Sequence, residues 1–174
     1  MVNGPNLSAL IVLIGTLLPL SADEATWIAP PSRGQLERDT TLIPKGKGFV
    51  FVPYMTSPLT EPSYLVYQEG KKIAEEKMGL GVLLSPGDYD VLVGSGPIPQ
   101  MMSTPVRVTE GYTSLLKSFW GGLIIEVIDQ NRTSVSESYE LFGVHNQENY
   151  GIGSGIEEER GEAVRTWLLL PGTY

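Results

Sequence analysis

The sequence predicts an all-β protein of two tandem small β-sandwich modules, the second incomplete, and three observations carry that reading. First, a phrase occurs twice: Val82-Leu-Leu-Ser-Pro-Gly-Asp-Tyr89 and Trp167-Leu-Leu-Leu-Pro-Gly-Thr-Tyr174 both read apolar-Leu-Leu-x-Pro-Gly-x-Tyr. Self-similarity at a long period marks repeated structural units. Second, Ser63-Tyr-Leu-Val-Tyr67 aligns with Ser138-Tyr-Glu-Leu-Phe142, each after a short apolar run, Phe49–Val52 in one copy and Leu123–Ile128 in the other. Third, from Gly48 onward short β-type runs alternate with turn signals at the spacing of a sandwich.

The elements follow in chain order. Residues 1–22 carry no charged side chain, and the run Ala9–Leu20 has the length of a signal-peptide core, shorter than the roughly 20 apolar residues of a membrane span. Pro19 and Leu20-Ser-Ala22 form a small-residue cleavage region, although the first eight residues lack the usual Lys or Arg. A buried or anchoring segment is the alternative. Residues 23–47 mix Pro30-Pro31, Arg33-Gly34 and Pro44 with no sustained period, which predicts a linker or N-terminal arm lying on the first module. The first module, 48–120, has expected strands at Phe49–Tyr54, Tyr64–Tyr67, Lys71–Glu75, Gly81–Leu84, Tyr89–Val93, Val106–Val108 and Tyr112–Lys117. Lys71–Met78 also suits a short helix by composition, but its neighbours argue for a strand. Trp120-Gly-Gly122 reads as the joint. The second module, 121–174, opens with Leu123–Ile128, a turn at Asp129–Arg132, and Thr133–Tyr139.

Pro-Gly between two β-type runs reverses the chain, since Pro presets φ near −65° and Gly supplies positive φ. The Tyr two residues later enters the next strand. It serves either as a corner tyrosine, its hydroxyl bonded to nearby backbone, or as a plain strand aromatic. In the first copy the text continues as Asp90-Val-Leu-Val93, placing Tyr89, Val91 and Val93 on one face. The aligned tyrosines Tyr64 and Tyr139 lie 75 residues apart and Tyr89 and Tyr174 lie 85 apart, so the second copy carries 10 additional residues, in the loop-like stretch Gly143–Gly161. The strand Trp167–Leu170 is expected to lack its hairpin partner. Either the chain given is part of a longer protein, or that module accepts a strand from another chain.

Composition removes several functions. A net charge of −8 and a pI near 4.6 oppose nucleic-acid binding, which draws on clustered Lys and Arg. The absence of cysteine rules out disulfides, thiolate metal sites, a cysteine nucleophile and a lipid-attachment cysteine. His145 is the only histidine, so a multi-histidine metal site is impossible. No cofactor-binding pattern is present.

The line Val82-x-Leu84-x-Pro86-Gly87-x-Tyr89-x-Val91-x-Val93, with Pro105–Thr113 after it, resembles the core and closing strands of PEGA-type and carboxypeptidase-regulatory-like repeats. The resemblance covers about a dozen positions per copy. It implies Ig-like or transthyretin-like sandwiches of an exported bacterial protein, used as spacers, stalks or polysaccharide-facing accessories.

Candidate chemistry is sparse. His145, in the polar stretch Gly143–Asn149, reads as a solvated loop residue, and as a catalytic base only beside a nucleophile that the sequence does not identify. Glu157, Glu158, Glu159 and Glu162 are oxygen donors for calcium or a carboxylate pair for sugar hydrolysis, set against an ordinary solvated charge run. Gly151-Ile-Gly-Ser-Gly155 and Gly94-Ser-Gly96 read as flexible bends rather than phosphate loops. Trp120, Trp167, Tyr112 and Tyr150 are the aromatics of a possible sugar-stacking face. Trp167 aligns with Val82 and is expected in the core. Trp120 is the candidate binding residue.

The expected protein is therefore a non-enzymatic, exported β-sandwich repeat region of a larger bacterial envelope or surface protein. Its expected partners are protein or polysaccharide, with membrane contact only through the N-terminal segment or a part beyond Tyr174. A carbohydrate-binding accessory module is the alternative, and a hydrolase using His145 and Glu157–Glu162 is third. Export predicts that the mature chain begins at Asp23. Intact-mass analysis of the exported product checks this, and a product retaining Met1 would oppose it.

Overall fold

The computed structural model describes residues 29–155 and 164–174. The segment 1–22 lies outside the described residues. Among the described residues the chain is all-β apart from a short helix α1 (Ser32–Leu36) and one 3-10 turn (Ile98–Gln100). Eleven strands occur among them, in order: β1 (Gly48–Phe51), β2 (Tyr64–Gln68), β3 (Lys71–Glu76), β4 (Gly81–Leu84), β5 (Gly87–Val93), β6 (Met102–Val108), β7 (Thr113–Leu115), β8 (Gly121–Ile124), β9 (Ser138–Phe142), β10 (Asn149–Ser154) and β11 (Thr166–Leu169).

Strands β3-β2-β5-β6 form an antiparallel sheet, and β4-β1-β7 form a second sheet in which β1 runs antiparallel to β4 and parallel to β7. Side chains from both sheets meet in one core: Val50 of β1, Tyr64 and Val66 of β2, Leu84 of β4, Tyr89, Val91 and Val93 of β5, and Val106 and Val108 of β6. The period-two pattern read from Tyr89-x-Val91-x-Val93 is the inward face of β5. Both outer strands of the larger sheet carry protection against edge pairing. Lys71, Lys72, Glu75 and Glu76 charge β3, with Lys72 and Glu75 paired at 3.0 Å, and Pro105 interrupts the donors of β6. Lys71–Glu76 is strand, as its neighbours require. The β2–β3 hairpin turns through Glu69 and Gly70, both at positive φ (51° and 76°), the twist-compatible geometry for a two-residue loop.

Two of the five ladders within residues 48–120 have counterparts within residues 121–174, the second of the sequence copies. β8 pairs antiparallel with β11 as β1 does with β4, and β9 with β10 as β2 does with β3. β4 and β11 occupy matching positions, their bounds 81–84 and 166–169 both offset by the 85 residues that separate the two phrases. Leu141, Tyr150, Trp167 and Leu169 make a second, smaller core. The turn at Asp129–Arg132 forms as expected. The Asp129 carboxylate accepts the backbone N–H groups of Asn131 and Thr133, both at 2.8 Å, and Ile128 bridges to Ser134. The added residues split between the loop 143–148 and the stretch 155–165.

Three expectations change. The strand read from Trp167 does have its partner: β4 pairs with β1, not with β5, and β11 correspondingly pairs with β8. Pro86-Gly87 is accordingly a crossover from one sheet to the other rather than a tight hairpin. Gly87 and Gly172 are not among the positive-φ glycines, because a crossover bend does not require left-handed backbone. The arm, finally, contains the unforeseen helix α1, which holds Gln35 against the first copy. The buried Gln35 amide accepts the Tyr54 N–H at 3.0 Å and donates to the Tyr54 carbonyl at 2.9 Å, pairing with that residue as a neighbouring strand would.

The corner reading of the tyrosines is realised in both copies. Tyr89 Oη donates to the Ser85 carbonyl at 2.9 Å, and Tyr174 Oη donates to the Leu170 carbonyl at 2.6 Å, each four residues back. Tyr89→Phe is expected to lower the unfolding free energy by about 1 kcal/mol, since a partly buried acceptor loses its donor. Tyr174→Phe, at an exposed bond, is expected to have less effect. Urea unfolding of the two variants checks the order.

Candidate functional site

Of the four buried polar residues among those described, Glu61, Ser95 and Thr166 lie on β11 and the loops that face it. Thr166 is fully buried. Its backbone N–H donates to the Thr60 carbonyl at 3.0 Å, and its hydroxyl lies 2.8 Å from that of Thr56 and 3.0 Å from that of Thr60. Two residues on, Leu168 forms a reciprocal pair with Ser95: the Ser95 N–H donates to the Leu168 carbonyl at 2.9 Å, and the Leu168 N–H donates to Ser95 Oγ at 3.0 Å. Ser95 is held in place by Gly94 (φ 145°) and Gly96 (φ 94°), conformations that side-chain-bearing residues rarely adopt. The bend expected at Gly94–Gly96 is therefore a built docking point for β11. Leu168 itself packs into the first core.

Beneath this network lies Glu61, 9% exposed. Its Oε1 accepts the Met55 N–H at 2.8 Å, the Thr56 N–H, and the Thr56 hydroxyl at 2.9 Å, which shapes the loop that presents Thr56 to Thr166. Oε2 is buried with no partner among the described residues. Burial pushes the Glu61 carboxyl above its ordinary value, and the hydrogen bonds from Thr56, Met55 and Ser57 offset only part of that rise.

The residues singled out from sequence are scattered. Trp120 is 4% exposed, part of the first core and in edge contact with Phe119 at 5.5 Å, so its ring has no open face for a sugar. Trp167 is in the second core, where its Nε1 donates to Tyr139 Oη at 2.8 Å and the Arg165 guanidinium lies 4.1 Å from its ring centroid. Tyr150 is buried against Tyr174, and Tyr112 is exposed on its own. His145 is exposed in the loop between β9 and β10. Glu157, Glu158, Glu159 and Glu162 lie outside the described residues. Gly151–Ser154 is strand β10 rather than a flexible bend, because Gly153 lets the Tyr139 ring lie directly on the backbone, where a Cβ would collide with it.

One open cleft of about 410 Å³ lies between the N-terminal arm and the first copy, lined by Gln35, Arg38, Asp39, Tyr54 and Leu80 among others. Its acid is structurally committed. Asp39 accepts the Thr41 N–H at 2.9 Å and the Gly81 N–H at 3.3 Å. Burial pushes its carboxyl up, but these bonds outweigh that and hold it below the ordinary range. The sequence signals for the buried polar residues were weak. Ser95 between two glycines and Glu61 inside a Pro-flanked loop are marked only by their surroundings. Comparisons of the chain with family models, with curated proteins and with solved structures find no match.

Because the folded state raises the Glu61 affinity for its proton, the protein binds more protons than the unfolded chain over the window from the ordinary value of 4.5 upward to the folded value. The stability contributed here is full below that window and falls as pH rises through it. Glu61→Gln is expected to remove this part of the slope, which urea midpoints measured against pH will read.

Proposed function

We propose that this chain is a non-catalytic repeat region that works by position, an exported spacer or interaction module of a larger bacterial envelope or surface protein. The observation that carries the reading is the joint. Two sequence copies with two strand ladders in common are fixed to each other by backbone and side-chain bonds at Thr60–Thr166 and Ser95–Leu168, with Leu168 inserted in the first core. A joint of that kind suppresses hinge motion, and a spacer needs this property more than it needs a reactive group. The acidic balance supports an exported, soluble surface, and the PEGA-type resemblance of the repeated phrase supports the same class. Contacts in such a protein fall to loops and strand edges on a fixed scaffold.

Nitrogen-15 relaxation on the full chain tests the reading. Residues 48–120 and 121–155 are expected to share one rotational correlation time. The pair Ser95→Ala and Thr166→Val is expected to loosen the joint and cost about 1–3 kcal/mol. Separate correlation times in the unaltered protein would sink the proposal.

A further inference from the structure

The turn near the start of the second copy carries a modification motif that the spacer reading does not use. Asn131-Arg132-Thr133 is the asparagine-x-threonine acceptor sequence for an N-linked oligosaccharide, which belongs on a surface loop of an exported protein. It sits inside Asp129-Gln-Asn-Arg-Thr133, with an acid two positions before the acceptor. One other triplet of this kind occurs, Asn6-Leu-Ser8, in the segment whose removal export predicts, and there the residue two positions before is Gly4. Asn146 and Asn149 are followed two positions on by Glu148 and Gly151, so neither is an acceptor.

The fold presents this motif at the tip of a hairpin. The Val135 N–H donates to the Val127 carbonyl at 2.9 Å and Ile128 bridges to Ser134, which pins the two arms beneath the motif. Beyond them Gln130, Asn131, Arg132 and Thr133 are all exposed, and no residue from Asp129 to Thr133 belongs to either core. An oligosaccharide on Asn131 therefore displaces no packed side chain. The turn is closed by the Arg132 N–H to the Asp129 carbonyl at 3.0 Å, by the Asp129 N–H to the Thr133 carbonyl at 2.9 Å, and by the Asp129 carboxylate, which also has Asn131 Nδ2 at 3.4 Å. These bonds are local and exposed. Opening them leaves the strand ladders and both cores in place, so a transferase can draw residues 129–133 into an extended form without unfolding the protein.

We propose that Asn131 is the acceptor of an N-linked oligosaccharide, attached after export by a membrane transferase of the bacterial envelope. The donor is an oligosaccharide carried on a polyprenyl pyrophosphate. A bond forms between Asn131 Nδ2 and the anomeric carbon of the first sugar, and the bond from that carbon to the pyrophosphate oxygen breaks. The lipid pyrophosphate leaves with the electron pair, and Nδ2 gives up one proton to a base of the transferase. No oxidant or reductant is consumed. The Thr133 hydroxyl is the recognition mark shared by all transferases of this class. The Asp129 carboxylate is the additional mark by which a bacterial transferase selects its asparagine, and a transferase of a eukaryotic secretory pathway does not need it. The proposal gives the exported module described above a glycan-bearing face and rests on the export in that reading.

The test incubates the purified, folded full chain with a bacterial oligosaccharyltransferase and its lipid-linked oligosaccharide, and reads the intact mass and the mass of the peptide that contains Asn131. One glycan per chain is expected, on Asn131. Asn131→Gln and Thr133→Val are expected to lose it, and Thr133→Ser to retain it. Asp129→Asn keeps an oxygen that can accept the Asn131 and Thr133 N–H groups, so its expected loss of the glycan reports the charge rather than the turn. Asp129→Glu is expected to retain the glycan, and a eukaryotic transferase is expected to modify Asp129→Asn as it does the unaltered chain. No addition by the bacterial enzyme, or an addition that survives Asn131→Gln, would overturn the site. Expression with the chain's own N-terminal segment, in a bacterium carrying the same glycosylation system, separates this failure from that of the functional reading. An exported chain that begins at Asp23 and carries no glycan overturns the site alone, whereas a chain that keeps Met1 and stays in the cytoplasm removes the export on which both rest.

Discussion

Successive side chains of a β-strand point to opposite faces, and in β11 both faces meet protein. Trp167 and Leu169 point into the second core, Leu168 points into the first, and Thr166 bonds the loop that carries Thr56 and Thr60. All four residues are buried. One strand therefore closes two cores, and the placement of nearly everything else depends on it. Ser95 needs its flanking glycines to reach Leu168, Glu61 must shape the loop beneath Thr166, and β8 is positioned as the ladder partner that leaves those two faces free.

This also explains why the two copies differ in composition where their backbones agree. Gly81 of β4 is covered by the Phe49 ring, and a Cβ there would collide with it. The equivalent position in β11 is Thr166, whose hydroxyl makes the bonds of the joint. Trp167 replaces Val82 because the second core draws on fewer strands and needs more apolar area from each side chain. An unbroken apolar run such as Trp167–Leu169, without the alternation of Tyr89-x-Val91-x-Val93, is what a strand buried on both sides looks like in sequence.

The parts of the fold that were legible in the sequence are those set by local periodicity and turn chemistry. The β-strand class, the β5 alternation and the Asp129 turn all follow from residues adjacent in the chain. What was not legible depends on distant partners. Pro86-Gly87 has the same local sequence whether the chain returns beside β4 or crosses to the other sheet, and only the pairing of β1 with β4 decides. Gln35 looks like any polar arm residue until Tyr54 is placed beside it. Of the candidate site residues, Trp120 and His145 stand out in the sequence by side-chain type alone, which does not report exposure. Ser95, Glu61 and Thr166 carry no motif, and their role arises from bonds spanning up to 110 positions of sequence, between Thr56 and Thr166.

The wide separation of these bonds has a bearing on biosynthesis. Ser95 and its partner Leu168 are 73 positions apart, so a ribosome presents the whole first copy to the cell before the strand that seals it has been made. Until then the slot for Leu168 stays open and its apolar lining is available to chaperones or to neighbouring nascent chains. Long-range closure of this kind slows folding and prolongs exposure to misassembly.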